Sequence, residues 1–527
     1  MASGPANAAC WLLDRHLEEG RGGTPAIMCE ERTLTYGDLF EASMTAANGL
    51  AALGAGRGDR VMLVLEDTEA FPAFFLGAIR AGVVPVPVST MLTAGEHAAI
   101  AADAGASVLV VSSTWADRAA EVVEGAPTVS AVVVAGRGRA DRNELPQVAG
   151  RLVVGWHDLD DASEAAPSRA AGSDPAFWLY TSGTTGRPKG AIHRHASLRA
   201  TADTYARTVL AATAQDRFYS VAKLFFAYGL GNSLTFPLAV GGLAVLEPAP
   251  STPALVAANL SRHRPSLFFA SPGFCAAMLD AGVPADSLSS VRLVVTAGEA
   301  LPAEVHDRFV EAYGVTVLDG IGTTEALHIF CSNRVGAVRT GTSGTVVDGY
   351  DMRLVDDEGL PVTASDVPGH LQLRGPSLAA GYWQRPDVTA AAFGGGWLRT
   401  GDVYSRSDDG YWRFHGRGND MIKAGGIWVS PAEVENVLLS HPDVLEAAVV
   451  GSRDERGLEV VVAFVVPRSG ARVEEGALGR HCREHMAAFK RPRRFVVLDG
   501  LPKTATGKIQ RHVLRERLAG KASVGLA

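Results

Sequence analysis

Apolar runs without polar interruption recur along most of the chain, as in RVMLVL (60 to 65), ASVLVVS (106 to 112), SAVVVAG (130 to 136) and VRLVVTAG (291 to 298), with helical periodicity between them. A strand with one wet face alternates apolar and polar side chains, so these strands need cover on both faces. Helices that cross over between parallel strands supply it, which predicts an α/β architecture with a largely parallel sheet. With 527 residues, 47% of them hydrophobic, the chain can bury more than one core. No repeat of fixed period is visible. The stretch from Gly136 to Ser173, rich in Arg, Asp, Ala and Ser, reads as a solvent-facing connection.

The character changes near Gly416. Ser430-Pro431-Ala432-Glu433 sets a capping Ser, a first-turn Pro and a Glu at the third helical position ahead of Val434, Val437 and Leu438; His441-Pro442 ends that helix. EAAVVG (446 to 451) and EVVVAFVVP (459 to 467) read as two strands, followed by helical spacing from Leu478 to Met486. A small α+β domain is expected here, after a large multi-layer α/β domain.

Composition removes several function classes. The 49 Lys and Arg against 57 Asp and Glu, a net charge of -8, give no broad positive field for nucleic acid. Cys10, Cys29, Cys275, Cys331 and Cys482 are scattered without metal-ligand spacing and read as reduced thiols. Asp14 and Arg15 interrupt the stretch where a signal peptide needs an apolar run, and no segment reaches the about 18 apolar residues of a membrane span. The expectation is a soluble cytoplasmic protein without a membrane or nucleic-acid partner, as monomer or homodimer.

The residues best suited to chemistry lie in TSGTTGRPKG, 181 to 190, where three glycines, four hydroxyls and Lys189 follow the apolar run FWLY. Inward-pointing backbone amides, hydroxyl donors and one full charge together cradle a polyphosphate. The spacing is not that of a Walker A loop, in which the Lys directly follows the last Gly. A polar hairpin turn is the plainer alternative. A second run, Asp319-Gly320-Ile321-Gly322-Thr323-Thr324-Glu325, offers one acid among hydroxyls, enough for Mg²⁺ when substrate phosphates and water complete its shell; otherwise Glu325 is an ordinary acid at a helix start. Asp402 in TGD is either a ribose-diol acceptor or a turn former, and Lys508 in LPKTATGKIQR is a mobile cation or a solvated surface charge.

Taken in order, YTSGTTGRPKG, TAGEALP (296 to 302), DGIGTTE, WLRTGD (397 to 402), GRGNDMIKAGG (416 to 426) and PKTATGKIQR resemble the acyl-adenylate-forming superfamily of acyl-CoA synthetases, adenylation domains and luciferases over nearly the whole chain. AKLFFAYGLGNSLTFP (222 to 237) and TTEALHIF (323 to 330) look most like benzoate-CoA ligases and related aryl-CoA ligases. The resemblance implies an adenylate-forming fold: an ATP- and acid-binding domain over residues 1–416, a hinge at 417–419 and a mobile small domain over 420–527. It also implies ATP, Mg²⁺ and coenzyme A, with an aryl carboxylate activated as acyl-AMP and then transferred to the CoA thiol.

Residue by residue, it places Thr181, Ser182, Gly183, Thr184, Thr185, Gly186 and Lys189 on the β and γ phosphates and Glu325 on Mg²⁺. Gly298, Glu299, Ala300 and Asp319, Gly320, Ile321, Gly322, Thr323, Thr324 would surround AMP, with Asp402 and Arg417 on the ribose. Lys508 would be the catalytic lysine, presented by Gly507, while Gly425, Gly426 and Trp428 would line the pantetheine channel. Asn419 stands at the hinge where relatives often carry an acid or Lys; Asn tolerates unusual backbone angles. Phe226, Ala227, Tyr228, Ala297, Gly322, His328 and Ile329 would surround a flat aromatic acid, and no acid in KLFFAYG pairs with an α-amino group. Some of Phe225, Phe226 and Tyr228 are alternatively core residues, and His328 a hydrogen-bonded structural one. Two rivals stay open: an enzyme loading an aryl group onto a carrier protein's phosphopantetheine, and a silent binding protein that keeps the fold. Lys508, Glu325 and the complete phosphate loop argue against the second.

Overall fold

A computed structural model describes residues 6–136, 145–148, 150–159, 167–181, 188–424, 427–454, 459–503, 509–518 and 520. Among them, two sheets carry the apolar runs. The larger has nine strands, in the order Thr345–Val346, Ile329–Ser332, Thr316–Gly322, Leu293–Thr296, Leu267–Ala270, Arg217–Ser220, Leu243–Leu246, Pro25–Cys29 and Arg32–Thr35. Its six central strands are mutually parallel, and antiparallel strands close both edges. The second sheet is wholly parallel, in the order Val84–Pro87, Arg60–Val64, Ala106–Ser112, Ala131–Ala135 and Leu152–Gly155.

Strand side chains alternate between faces, and here alternate residues enter different cores. Val61, Leu63, Val108, Val110, Leu267, Phe269, Leu293 and Val295 share one core with the helices Tyr36–Ala52 and Ala70–Ala81. Met62, Val64, Leu109 and Val111 enter a second, with the helices Ala94–Ala104 and Ala119–Gly125. Phe268, Ala270 and Val294 enter a third, with the helices Pro253–His263, Pro272–Asp280 and Ala303–Tyr313. The result is five layers, with two helices enclosed between the sheets. Both faces of each central strand are therefore dry, as the unbroken apolar runs require.

Arg80, the charge inside the apolar stretch 70–89, lies on the enclosed helix Ala70–Ala81 and is only 6% exposed. It donates to both carboxylate oxygens of Asp14, at 2.6 and 2.8 Å, and its guanidinium sits 4.8 Å from the Phe40 ring centroid. The pair satisfies a charge that the core could not otherwise hold.

Two expectations need correction. The segment between Gly136 and Ser173 is more than a solvent-facing connection: Leu152–Gly155 adds an edge strand to the parallel sheet, and the buried Trp156 packs 5.7 Å from Phe74. Short β-branched stretches within a polar composition carry little periodicity, which hides such a strand. Residues 351–417 build a five-stranded antiparallel sheet instead of continuing the parallel pattern: Pro361–Val362, Asp351–Val355, Gly369–Arg374, Leu398–Arg406 and Trp412–Arg417.

The smaller C-terminal domain has its own cores, formed by residues from Ile422 to Leu514; the cores of the large domain end at Trp412. Its helix Pro431–Leu439 begins as expected, with the Ser430 hydroxyl accepting from the Glu433 amide, but the Glu433 side chain pairs with Lys490. Val444–Arg453 and Glu459–Pro467 form the expected antiparallel pair, and a third strand, Arg494–Val497, runs parallel to the second. Arg468 reaches the large domain, with ion pairs to Asp280 at 3.2 Å and Glu304 at 3.7 Å. No helix among the described residues is long and apolar enough to cross a membrane.

Removing one partner of a buried ion pair strands the other charge. Asp14→Ala is therefore expected to lower unfolding stability by about 3 kcal/mol, read as a lower denaturation midpoint with an unchanged slope in urea.

Candidate active site

The strands Arg217–Ser220, Leu267–Ala270, Leu293–Thr296 and Thr316–Gly322 lie side by side and point the same way, so the loops beyond their carboxyl ends meet along one edge. Ligands of open parallel sheets bind along that edge. Ala297 to Leu301, Gly322 to Glu325 and Ala222 to Tyr228 all leave strands there.

The first two loops are tied together. The carboxyl of the buried Asp319 accepts from the Thr296 hydroxyl at 2.7 Å and from the backbone amides of Leu301 and Gly320. Burial pushes its pKa up to about 7, against the effect of these donors. The Asp319 side chain is thus committed to holding the loop that carries Gly298, Glu299 and Ala300, and does not itself present an open surface. Gly298 takes φ +98°, which a side chain would strain, and Gly298 and Ala300 are exposed while Ala297 is buried. Along the next strand Asp319 and Gly320 are buried, whereas Ile321, Gly322, Thr323, Thr324 and Glu325 are partly exposed. A Cβ at Gly322 would lie 2.8 Å from the His328 carbonyl oxygen, so only glycine allows this close return of the chain.

Glu325 sits on a single helical turn, Thr324–Ala326, with both carboxylate oxygens engaged: Thr323 Oγ1 donates to Oε2 at 2.5 Å and Tyr382 Oη to Oε1 at 2.7 Å. His193 Nε2 donates to the Thr324 carbonyl at 2.9 Å, which assigns the proton of the neutral ring to Nε2. Burial lowers the His193 pKa to about 4.

The strands on either side of the phosphate-binding candidate, Pro175–Thr181 and Lys189–Arg194, pair antiparallel, with Thr181 directly opposite Lys189. Ser182, Gly183, Thr184, Thr185 and Gly186 lie outside the described residues. The Lys189 ammonium stands 5.6 Å from the Tyr382 ring centroid, so the hairpin's charge and Glu325 meet the ring and the hydroxyl of one side chain.

On the acid-binding side, Phe226, Ala227 and Tyr228 are partly exposed, and Phe225 is core. Tyr228 donates to the Val295 carbonyl at 2.9 Å, so its hydroxyl is satisfied within the protein. His328 packs 5.5 Å from the Tyr228 ring and 4.4 Å from Phe236. Its Nε2 donates to the Asn232 side-chain oxygen at 3.0 Å, and burial lowers its pKa to about 3, so it is a neutral, hydrogen-bonded wall residue. Ile329 is almost fully buried in its strand.

Asp402 and Arg417 are directly opposite on paired strands and form an ion pair at 3.0 Å; Arg417 also donates to the Thr400 carbonyl. Asn419 is exposed on a helical turn, Gly418–Asp420, and its φ is not left-handed, so the tolerance of Asn for that region is unused in this pose. Lys508, Gly507, Gly425 and Gly426 lie outside the described residues, as does the side chain of Trp428; Lys503 and Ile509, which flank the Lys508 segment, pair as an antiparallel bridge.

Sequence reasoning missed His193 and the strap 380–385. Within the strap Ala380 and Trp383 donate backbone bonds to Ile192 and Gly190, and Gly381 accepts from Ile192. Asp103 anchors its far end, accepting from Arg385 at 2.5 Å and from Tyr180 at 2.7 Å, while Trp383 Nε1 donates to the Asp103 carbonyl at 3.1 Å. A 57-residue separation between Glu325 and Tyr382 leaves no local signal for that contact.

The layered fold, with a carboxylate, a lysine and an apolar wall at one edge of its parallel sheet, defines an adenylate-forming enzyme. The chain belongs to the AMP-binding enzyme family: that family's model matches residues 13–383, and the AMP-binding enzyme C-terminal domain matches 433–508. The chain is 44% identical to a benzoate-CoA ligase of Thauera aromatica over 514 residues, 97% of this chain and 95% of that one. It is 41% identical to a 4-hydroxybenzoate-CoA/benzoate-CoA ligase of Rhodopseudomonas palustris over 98% and 94% of the two chains. Among solved structures, a benzoate CoA ligase from Burkholderia xenovorans LB400 superposes with a TM-score of 0.87 at 40% identity, covering 97% of this chain and all of that one. The anthranilate CoA ligase AuaEII, in complex with anthranoyl-AMP, gives a TM-score of 0.90 at 36% identity and 98% coverage of both.

His193 takes up a proton in the unfolded chain near the ordinary value of 6.5 but in the folded one only near 4. Its contribution to stability is thus present above pH 6.5 and is lost as pH falls toward 4. His193→Gln, which keeps an amide donor near the Thr324 carbonyl, is expected to flatten the fall of Tm between pH 6.5 and 4; an unchanged slope would contradict this.

Proposed function

We propose that this protein is an ATP-dependent aryl-CoA ligase acting on benzoate or a close hydroxy, amino or heteroaromatic analogue. The observation that carries the reading is the convergence of Glu325 and Lys189 on Tyr382, at the strand edge that also carries the Phe226–Tyr228 wall. Likeness to benzoate- and hydroxybenzoate-CoA ligases over at least 94% of their length supports CoA as the acceptor.

Mg²⁺ fits the donor set. Glu325 with Thr323 and Thr324 supplies only hard oxygen atoms, and no group of three His, Cys, Asp or Glu suited to a metal occurs among the described residues. A cation held by one carboxylate, with phosphate and water completing its shell, matches the habits of Mg²⁺. When bound, the ion neutralises phosphate charge. The protein's own residues do the rest. The segment 181–189, with Lys189, holds the β and γ phosphates; Gly298, Glu299, Ala300 and Ile321 to Thr324 flank the nucleotide; and Asp402, oriented by Arg417, accepts from the ribose. The apolar wall receives the ring and keeps water from the carboxylate.

In the first step a carboxylate oxygen attacks the α-phosphorus, and the bond to pyrophosphate breaks. Lys508 places an ammonium where negative charge accumulates between carboxylate and phosphate. In the second, the CoA sulfur attacks the acyl carbon, AMP leaves, and the thiol proton passes to solvent. Rotation of the small domain about residues 417–419 exchanges Lys508 for the Gly425, Gly426 and Trp428 segment, and must break the Arg468 pairs with Asp280 and Glu304.

Acid-dependent exchange of labelled pyrophosphate into ATP is expected with benzoates and not with long fatty acids; the reverse preference would overturn the pocket assignment. Lys508→Ala is expected to lower exchange by about 10²-fold to 10³-fold while thiolysis of supplied aryl-adenylate changes far less. Thioester formation only on carrier proteins, never on free CoA, would replace the acceptor.

A further inference from the structure

Tyr382 occupies a singular place in this site. Its hydroxyl donates to Glu325 Oε1, its ring faces Lys189 Nζ, its amide donates to Thr389 Oγ1 at 2.9 Å, and its backbone bridges to Ala191 on the hairpin. The strap around it fastens Glu325 from behind: the Ala379 amide donates to the Glu325 carbonyl at 2.8 Å, and Ser377 Oγ donates to the Ala326 carbonyl at 2.6 Å. One segment thus touches both the carboxylate and the hairpin.

The chemistry of the donors matters. A carboxylate offers about four lone-pair sites, and Thr323 and Tyr382 each take one, on different oxygens. This fixes the carboxylate plane and leaves each oxygen one acceptor site. Both donors are uncharged, so they hold Glu325 without cancelling its charge, whereas an Arg or Lys in either place would compete with a cation. A phenol, which ordinarily loses its proton only at about pH 10, is a donor to a carboxylate at neutral pH.

We propose that Tyr382 is a positioning residue for the first half-reaction: it holds the Glu325 carboxylate in the orientation that receives the nucleotide-bound divalent cation and keeps the Lys189 ammonium beside it. The proposal rests on the ligase reading for the reaction step, but cation-dependent nucleotide binding tests it separately. Acting through Glu325, Tyr382 need not touch substrate.

The experiment compares the parent with Tyr382→Phe, which retains the ring over Lys189 and its packing on Phe393. Calorimetric titration with a non-hydrolysable ATP analogue is run at several Mg²⁺ concentrations and in chelator. Pyrophosphate exchange is measured across the same Mg²⁺ range, with thiolysis of supplied benzoyl-adenylate in parallel. Losing a hydrogen bond to a charged group is expected to raise the Mg²⁺ concentration for half-maximal binding and exchange by about 10-fold. Analogue binding in chelator, the melting temperature in chelator and thiolysis should stay within about 2-fold or 2 °C of the parent. Identical Mg²⁺ dependence in the two proteins would overturn the proposal. So would equal weakening with and without Mg²⁺, which would make Tyr382 a direct phosphate ligand, or a general loss of stability with parallel loss of both half-reactions. If the parent shows no exchange with any benzoate, the ligase reading fails, while the calorimetric comparison still decides the role of Tyr382.

Discussion

The demand that parallel strands be dry on both faces governs this molecule. Val61 and Leu63 turn to one core and Met62 and Val64 to another, and Leu293 and Val295 part from Val294 in the same way. Helices must lie against each face, and every crossover returns the chain to the same end of the sheet. The loops after Ser220, Thr296 and Gly322 are thereby delivered to one edge, although dozens of residues separate them in sequence. The proposed site lies along that edge.

Within the edge, Asp319 and Glu325 are both held by neutral partners. Asp319 fixes the Ala297–Leu301 loop through a hydroxyl and two amides, and Thr323 and Tyr382 orient Glu325. His193 and His328, both neutral, hold a carbonyl and an amide oxygen. Full ion pairs occur as well: Asp402 with Arg417 on paired strands, Arg385 with Asp103 behind the strap, Arg80 with Asp14 in the enclosed layer, and Arg468 with Asp280 and Glu304 between the domains. A buried carboxylate is thus held either by an opposite charge or by several neutral donors, and both solutions occur along this edge.

The parts of the fold that were legible had a local cause. Unbroken apolar runs announced the parallel strands, and Ser430-Pro431 announced a helix whose cap is present, although Glu433 turned to Lys490. The edge strand Leu152–Gly155 and the antiparallel sheet of residues 351–417 were not foreseen, because short strands with a wet face have weak patterns. The resemblance named Glu325 and Lys189. It did not say that one tyrosine joins them, nor that Asp319 turns inward, since both depend on neighbours distant in the chain.

By itself the sequence determined the α/β class, a smaller C-terminal domain and the short motifs by which the family is known. Apolar period, capping chemistry and short motifs are properties of adjacent residues, and these can be read without coordinates. Only the tertiary structure decided which polar groups are turned to solvent and which are consumed in holding loops. A hydrogen bond such as Tyr382 to Glu325 exists only once the sheet, the hairpin and the strap are packed, and its partners are chosen by that packing.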